Sequence, residues 1–103
     1  MITFQHKETE KGGVFEAWLQ ATEEGACTEP MQVGEMTYQR PTPERMIIDH
    51  TRVYDGFEGR GIARQMVLAA VNFARANNRK IIPVCSYARA VLTRTEEYKD
   101  ILA

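Results

Sequence analysis

Asp49-His50-Thr51-Arg52-Val53, a short irregular link, Glu58-Gly59-Arg60-Gly61-Ile62-Ala63, and then an apolar-periodic run to Ala76 form the stretch that decides the fold. A β-rich segment feeds a glycine-bearing turn, and the turn opens a helix. The first turn of a helix leaves its N–H groups without intrahelical partners. Those groups and the helix dipole together favour an anion such as a phosphate. Gly59 and Gly61 have no side chain to hold a ligand off, so the main chain can approach one closely. The stretch therefore reads as a seat for the pyrophosphate of a nucleotide-like cofactor. A tight turn that needs positive φ at one glycine is the purely structural alternative.

Downstream, Ile62, Met66, Ala70, Phe73 and Ala74 recur at helical spacing, with Val67 and Ala69 beside them and Arg64, Gln65, Asn72 and Arg75 largely elsewhere. This is an amphipathic helix of about four turns. Asn77-Asn78 ends it, because Asn tolerates a left-handed C-terminal cap. Lys80-Ile81-Ile82-Pro83-Val84-Cys85 is a short β-rich run. Strand, helix and strand in that order predict a parallel pair with a right-handed crossover. Pro83 demotes the run to an edge strand, or to one that leaves its neighbour there. Ser86 is placed to cap a short helix carrying Tyr87, Ala90, Val91 and Leu92. Thr95-Glu96-Glu97 is a second cap, opening a last short helix with Tyr98, Ile101 and Leu102 on its apolar side.

Upstream, residues 1–12 are polar and end in the turn signal Lys11-Gly12-Gly13. From Val14 the pattern alternates, with Phe15, Ala17, Leu19 and Ala21 on one face and Glu16 and Gln20 on the other; Trp18 interrupts the polar face. Residues 22–30 form a loop rich in Glu, Gly and Thr. Met31 to Tyr38 alternates again. Pro41-Thr42-Pro43 cannot sit in a sheet ladder and marks a connection. Arg45 to Val53 is the third strand, and its Met46-Ile47-Ile48 run predicts burial on both faces. Three strands on short links imply an antiparallel meander. The class is α+β: a mixed sheet, meander plus one strand–helix–strand parallel unit, with helices packed on it.

The chain of 103 residues predicts a single domain over 1–103, and 44% hydrophobic residues support a folded protein over disorder. A formal net charge of -1 argues against a general nucleic-acid binder. No apolar run approaches a membrane span, and the N-terminus has no signal-peptide core, so a cytoplasmic setting is expected. Cys27 and Cys85 make neither a disulfide framework nor a metal site, and both are expected as free thiols. There are no internal repeats.

A Walker phosphate loop is excluded, because no Gly-Lys-Ser/Thr follows the turn, and a dinucleotide fingerprint needs three glycines and a longer domain. Val53 to Ala63, followed by Gln65-Met66-Val67, instead resembles the acyl-CoA-binding motif of the GNAT superfamily of N-acetyltransferases, Arg/Gln-x-x-Gly-x-Gly/Ala. Gly61, Ile62 and Ala63 match it; Glu58 occupies the Arg/Gln position and does not, and it is expected to point away from a pyrophosphate. Gly34-Glu35-Met36-Thr37-Tyr38, Ile48-Asp49-His50-Thr51, the glycine turn, Pro83-Val84-Cys85 and Glu97-Tyr98 fall in the order seen in the small YjdJ-like members of that superfamily. The resemblance runs from about Val14 to Leu102. Ser86 stands where a proline commonly follows the cysteine.

The resemblance implies an acetyl-CoA-dependent N-acetyltransferase acting on a small amine or a protein amine. The strand before the turn would splay from the next parallel strand, and the pantetheine arm of acetyl-CoA would pair with the exposed main chain of Thr51 and Val53. The N–H groups of Arg60, Gly61, Ile62 and Ala63 would hold the pyrophosphate, with charge-assisted contacts from Arg60 and Arg64. The family also marks Cys85 as a candidate nucleophile or acyl relay. Its position beside the start of a helix supplies one ingredient of a lowered thiol pKa; the alternative is a buried core thiol. His50, on the central strand, is a candidate general base or a satisfied structural histidine. Strict alternation would put Asp49 on the other face from it. Tyr87 or Tyr98 could protonate the leaving thiolate, although Tyr98 reads better as a packing residue. His6 reads as solvated, Cys27 as uninvolved, and Glu23-Glu24 as a solvated loop. A non-catalytic module that binds CoA or a nucleotide is the runner-up, and a plain interaction domain the third reading. No acceptor-wall helices precede Val14, so the acceptor side is expected to be open, in a monomer or a homodimer.

Overall fold

Alternating patterns organise the first half of the chain into four antiparallel strands: β1 (Ile2–Glu8), β2 (Gly12–Leu19), β3 (Met31–Gln39) and β4 (Arg45–Val53). A fifth, β5 (Lys80–Pro83), adds in parallel beside β4, giving the sheet order β1-β2-β3-β4-β5. The computed structural model describes residues 2–20 and 29–103. The expectations for Ala21, Glu23-Glu24 and Cys27 lie outside them. Helix α1 (Ile62–Ala76) connects β4 to β5; α2 (Ser86–Thr93) and a 3-10 helix over Glu96–Ile101 follow.

The mixed sheet is as expected, but its meander has four strands, not three. The segment read as a polar N-terminus is β1, paired with β2 along its whole length from Ile2↔Leu19 to Glu8↔Gly13. The signal was thin: Ile2 and Phe4 are its only aliphatic or aromatic inward residues, and the third inward position is His6. That histidine is not solvated. Its ring stacks on Phe15 at 4.1 Å and meets Phe73 edge-on at 4.3 Å. Its Nε2 lies 2.5 Å from the Tyr38 hydroxyl.

The apolar stripe of α1 lies on one face of the sheet. Ile62, Met66, Val67, Ala70, Val71 and Ala74 are buried against Phe15, Ala17, Met36, Tyr38, Met46 and Ile48. Burying aliphatic side chains of this size contributes about 1.5–3 kcal/mol each. Among the described residues no helix covers the opposite face. Ile47 is accordingly only half-buried, while Met46 and Ile48 are fully buried, so burial on both faces of β4 does not occur. Asn78 takes φ 54 just past α1, the left-handed residue expected there. Ser86 is not a cap. Cys85 holds the N-cap position of α2, and Ser86 is the first helical residue. Thr95 does cap the last element, its hydroxyl accepting from the Glu97 N–H at 3.3 Å, but that element is a 3-10 helix.

Candidate active site

Two irregularities place the site, one in β4 and one where β5 ends. The β4–β5 ladder stops at Ile48↔Pro83. Beyond it the N–H groups of Val84 and Cys85 both donate to the Ile48 carbonyl, at 3.0 and 2.9 Å. Pro83 has no N–H to extend the ladder, so the chain leaves β4 there, as its position in the sequence predicts. β4 continues to Val53 with no strand beside it on that side among the described residues.

The second irregularity decides which groups face the gap. In the β3–β4 register His50 pairs with Thr37 and Ile48 with Tyr38, leaving Asp49 as an inserted residue. A one-residue bulge reverses the alternation of a strand. The Tyr54 N–H donates to the Val33 carbonyl at 2.8 Å, so residue 54 faces β3. Counting back by alternation, residues 52 and 50 also face β3, and the main-chain groups of Thr51 and Val53 face the gap. Ile48, before the bulge, faces β5 through its carbonyl.

The gap opens into a cavity of about 340 Å³ lined by Thr51, Val53, Phe57, Glu58, Gly59, Gly61, Ile62, Ala63 and Tyr87. Gly59 (φ 78) and Gly61 (φ 75) are both left-handed, the conformation that glycine adopts without strain. Gly61 is the N-cap of α1, and the first helical bond runs from the Gln65 N–H to the Gly61 carbonyl. The N–H groups of Ile62, Ala63 and Arg64 therefore have no partner within the helix. A Cβ built on Gly59 meets nothing within 4 Å. The Arg60 guanidinium lies over the Phe57 ring, 5.3 Å from its centroid. Glu58, expected to turn away, lines the cavity; its Oε1 accepts from the Phe57 N–H at 3.2 Å.

Cys85 is half-buried and a free thiol; it is not among the residues lining the cavity, but its Sγ lies 3.5 Å from Oγ1 of Thr51, which is. Burial pushes the thiol pKa up, but the Ala88 and Tyr87 amides and the Thr51 hydroxyl favour the anion more strongly, and the net shift is downward. The thiol closes no capping hydrogen bond of its own. The helix start thus acts on the sulfur as a positive end that becomes important once the proton leaves. Tyr87 is 40% exposed and lines the cavity directly.

The structure does not bring His50 to this group. His50 pairs with Thr37, so it shares the outer face of the sheet with Asp49, whose carboxylate accepts from Thr37 Oγ1 at 2.7 Å. Thr51 and Val53 pair with Met36 and Gly34 on the α1 face. The expected separation of Asp49 from His50 fails because the bulge breaks strict alternation. Tyr98 is a buried core residue beneath Arg75. Phe57 is the lining residue that reading the sequence passed over. It sits in the link between strand and turn, where no periodic pattern marks it.

A mixed sheet with one parallel pair that diverges beside a glycine turn, and a helix capped by that turn, has the architecture of a GNAT-like α+β domain. The NMR solution structure of a GCN5-like candidate N-acetyltransferase from Staphylococcus aureus is similar to it, with a TM-score of 0.63 and 30% sequence identity, over 96% of this chain and 87% of that one. A family model for GCN5-related N-acetyltransferases matches residues 15–101. No curated protein matches the chain. The chain belongs to the GCN5-related N-acetyltransferase family and is an acetyltransferase by family and fold. No helix among the described residues is long and apolar enough to cross a membrane.

Proposed function

We propose that the chain transfers an acetyl group from acetyl-CoA to an amine, with the donor lying in the gap between β4 and β5. One observation carries this reading. The main chain of Thr51 and Val53, which β5 leaves unladdered, the left-handed glycine turn and the first N–H groups of α1 border the same cavity, with the Thr51 N–H turned to the Cys85 thiol. The residues present fit such a donor. An amide-bearing arm pairs with an open strand edge as another strand would. A diphosphate suits the main chain of Arg60, Gly61, Ile62 and Ala63, because Gly59 and Gly61 bring no Cβ to the turn, and Arg60 and Arg64 lie within reach in sequence, outside the cavity lining. When bound, the donor supplies an acetyl group already activated as a thioester.

The rest falls to the chain. Holding donor and amine in line removes much of the entropic barrier. A main-chain N–H at the gap stabilises the carbonyl oxygen as it gains charge. The amine nitrogen bonds to the acetyl carbon, the carbon–sulfur bond breaks, the leaving sulfur takes a proton from the exposed Tyr87 hydroxyl on the cavity wall, and the proton shed by the amine returns through solvent to the phenolate. Cys85 offers a second route. Its thiolate takes the acetyl group and releases the CoA thiol, and the amine then takes the acetyl group from Sγ while the proton returns. The lowered thiol pKa and the Thr51 contact support this role. His50, on the other face, has no part in either route. The acceptor is a small amine or a protein amine, reached from solvent by a monomer or a homodimer.

Thiol release from acetyl-CoA with a panel of amines tests the activity. Turnover with any amine, matched by acetylated product, supports it; CoA binding without turnover leaves a binding module. Full activity in Cys85→Ala would leave direct attack as the route.

A further inference from the structure

We propose that Asp49 is a positioning residue for donor binding: its carboxylate bridges Thr37 and Gln39 of β3 and locks the bulge that turns the main chain of Thr51 and Val53 toward the gap. The inference rests on reading that gap as the donor site.

Ile48 faces β5 through its carbonyl. Were β4 regular, residues 50 and 52 would face β5 with it, and Thr51 and Val53 would spend their N–H and C=O groups on β3. The inserted Asp49 exchanges the two sets. The open edge of the gap therefore exists in its present register because of one residue in β4.

A bulge interrupts the ladder and leaves a residue unpaired, so something must hold it. The inner face does part of this. Met46 and Ile48 before the bulge, and Thr51 and Val53 after it, all point toward α1, which fixes the register on either side. The inserted residue itself is held from the outer face. Asp49 Oδ1 accepts from Thr37 Oγ1 at 2.7 Å and Oδ2 accepts from Gln39 Nε2 at 2.9 Å. Thr37 and Gln39 are successive outward residues of β3, one on each side of the register shift. One carboxylate thus clamps β4 to the two β3 positions between which the strand gains its extra residue. Both bonds are charge-assisted, and burial of the carboxyl, which pushes its pKa up, is outweighed by these bonds, so the group stays ionised. Asp49 does not line the cavity, so any effect on donor binding passes through the main chain.

The test uses the full chain, with CoA as the calorimetric probe and amide resonances as the structural readout. Asp49→Ala is expected to shift or broaden the Thr51 and Val53 amides in the CoA-free protein, leave those of β1 and β2 in place, and weaken CoA about five- to tenfold, the loss of roughly one main-chain hydrogen bond. Thr37→Val, which cuts one arm of the clamp, moves both readouts in the same direction by less. Asp49→Asn restores them, because its oxygen accepts from Thr37 and its amide donates to Gln39 once the Gln39 amide flips. Asp49→Ala that binds CoA as tightly as the parent, or weakens it with the Thr51 and Val53 resonances unmoved, overturns the proposal. Should the parent chain itself bind no CoA, the donor-site reading fails; the resonances then still decide the clamp, and unmoved Thr51 and Val53 amides in Asp49→Ala overturn it.

Discussion

Gly61→Ala separates what the glycine turn does for folding from what it does for the ligand. At Gly61 the main chain has φ 75 and ψ 13, and a Cβ placed there meets only Gln65 Nε2, at 3.9 Å, an ordinary contact. No neighbour has to move, so the folded-state cost is the left-handed conformation alone. For an L-residue that is about 1–2 kcal/mol. Alanine also restricts the unfolded chain, which returns about 0.5 kcal/mol. The net loss is about 1 kcal/mol, and in a domain of this size it lowers Tm by about 4–8 °C. Binding should suffer more. Gly61 lines the cavity at the helix start, where an added Cβ would hold a phosphate off the main chain, and one main-chain N–H bond to a charged phosphate lost in that way is worth about 1.5–3 kcal/mol, or at least tenfold in CoA affinity. Gly61→Asn is the control, since Asn tolerates the left-handed region; it should recover part of the Tm and none of the affinity. Thermal melts and CoA calorimetry on the three proteins decide the matter. An alanine variant that melts with the parent would refute the strain argument, and one that melts lower yet binds CoA unchanged would remove the phosphate from the turn.

Three further outcomes are expected. Glu8 accepts from Arg79, Arg40 and Tyr38, and the Arg79 hydrogen bond above all holds its carboxyl at about 2, below its ordinary 4.5. A depressed carboxyl stabilises the fold above its unfolded value and loses that contribution as pH falls from about 4.5 toward 2. Discounted for a side chain 21% exposed, this is about 2 kcal/mol. Glu8→Gln should therefore be destabilised near neutral pH and match the parent near pH 2 in urea melts; an equal gap at both pH values counts against the network. Thr51→Val removes the hydroxyl beside Cys85 while keeping its shape, so the midpoint of iodoacetamide alkylation against pH should move up, and an unmoved profile denies Thr51 a part in stabilising the thiolate. Glu58→Gln removes a carboxylate from the cavity wall, keeps an oxygen for the Phe57 N–H, and should tighten CoA about two- to fivefold at low salt, with the gain shrinking as salt is added; an unchanged or weaker complex would mean that the charge does not oppose the ligand.

The strand–turn–helix core was legible because its causes are local. Left-handed glycines, the stripe from Ile62 to Ala74 and the missing N–H of Pro83 act within a few residues of themselves. β1 escaped because its inner face carries His6, a polar letter whose ring is made apolar in effect by Phe15 and Phe73, drawn from β2 and α1. Ser86 is the residue type that favours a cap, but the end of β5 at Pro83 puts Cys85 at that position.

What the chain's letters settled by themselves was which segments extend, which coil, and where a left-handed glycine turn opens a helix, since backbone preference and periodicity are short-range properties. The cleft's chemistry was decided only in three dimensions. The bulge at Asp49 depends on what β3 offers opposite it, and the nearness of Cys85 to Thr51 spans 34 positions of sequence. Alternation read along one strand cannot reveal an inserted residue, because the insertion exists only relative to the partner strand that fails to match it.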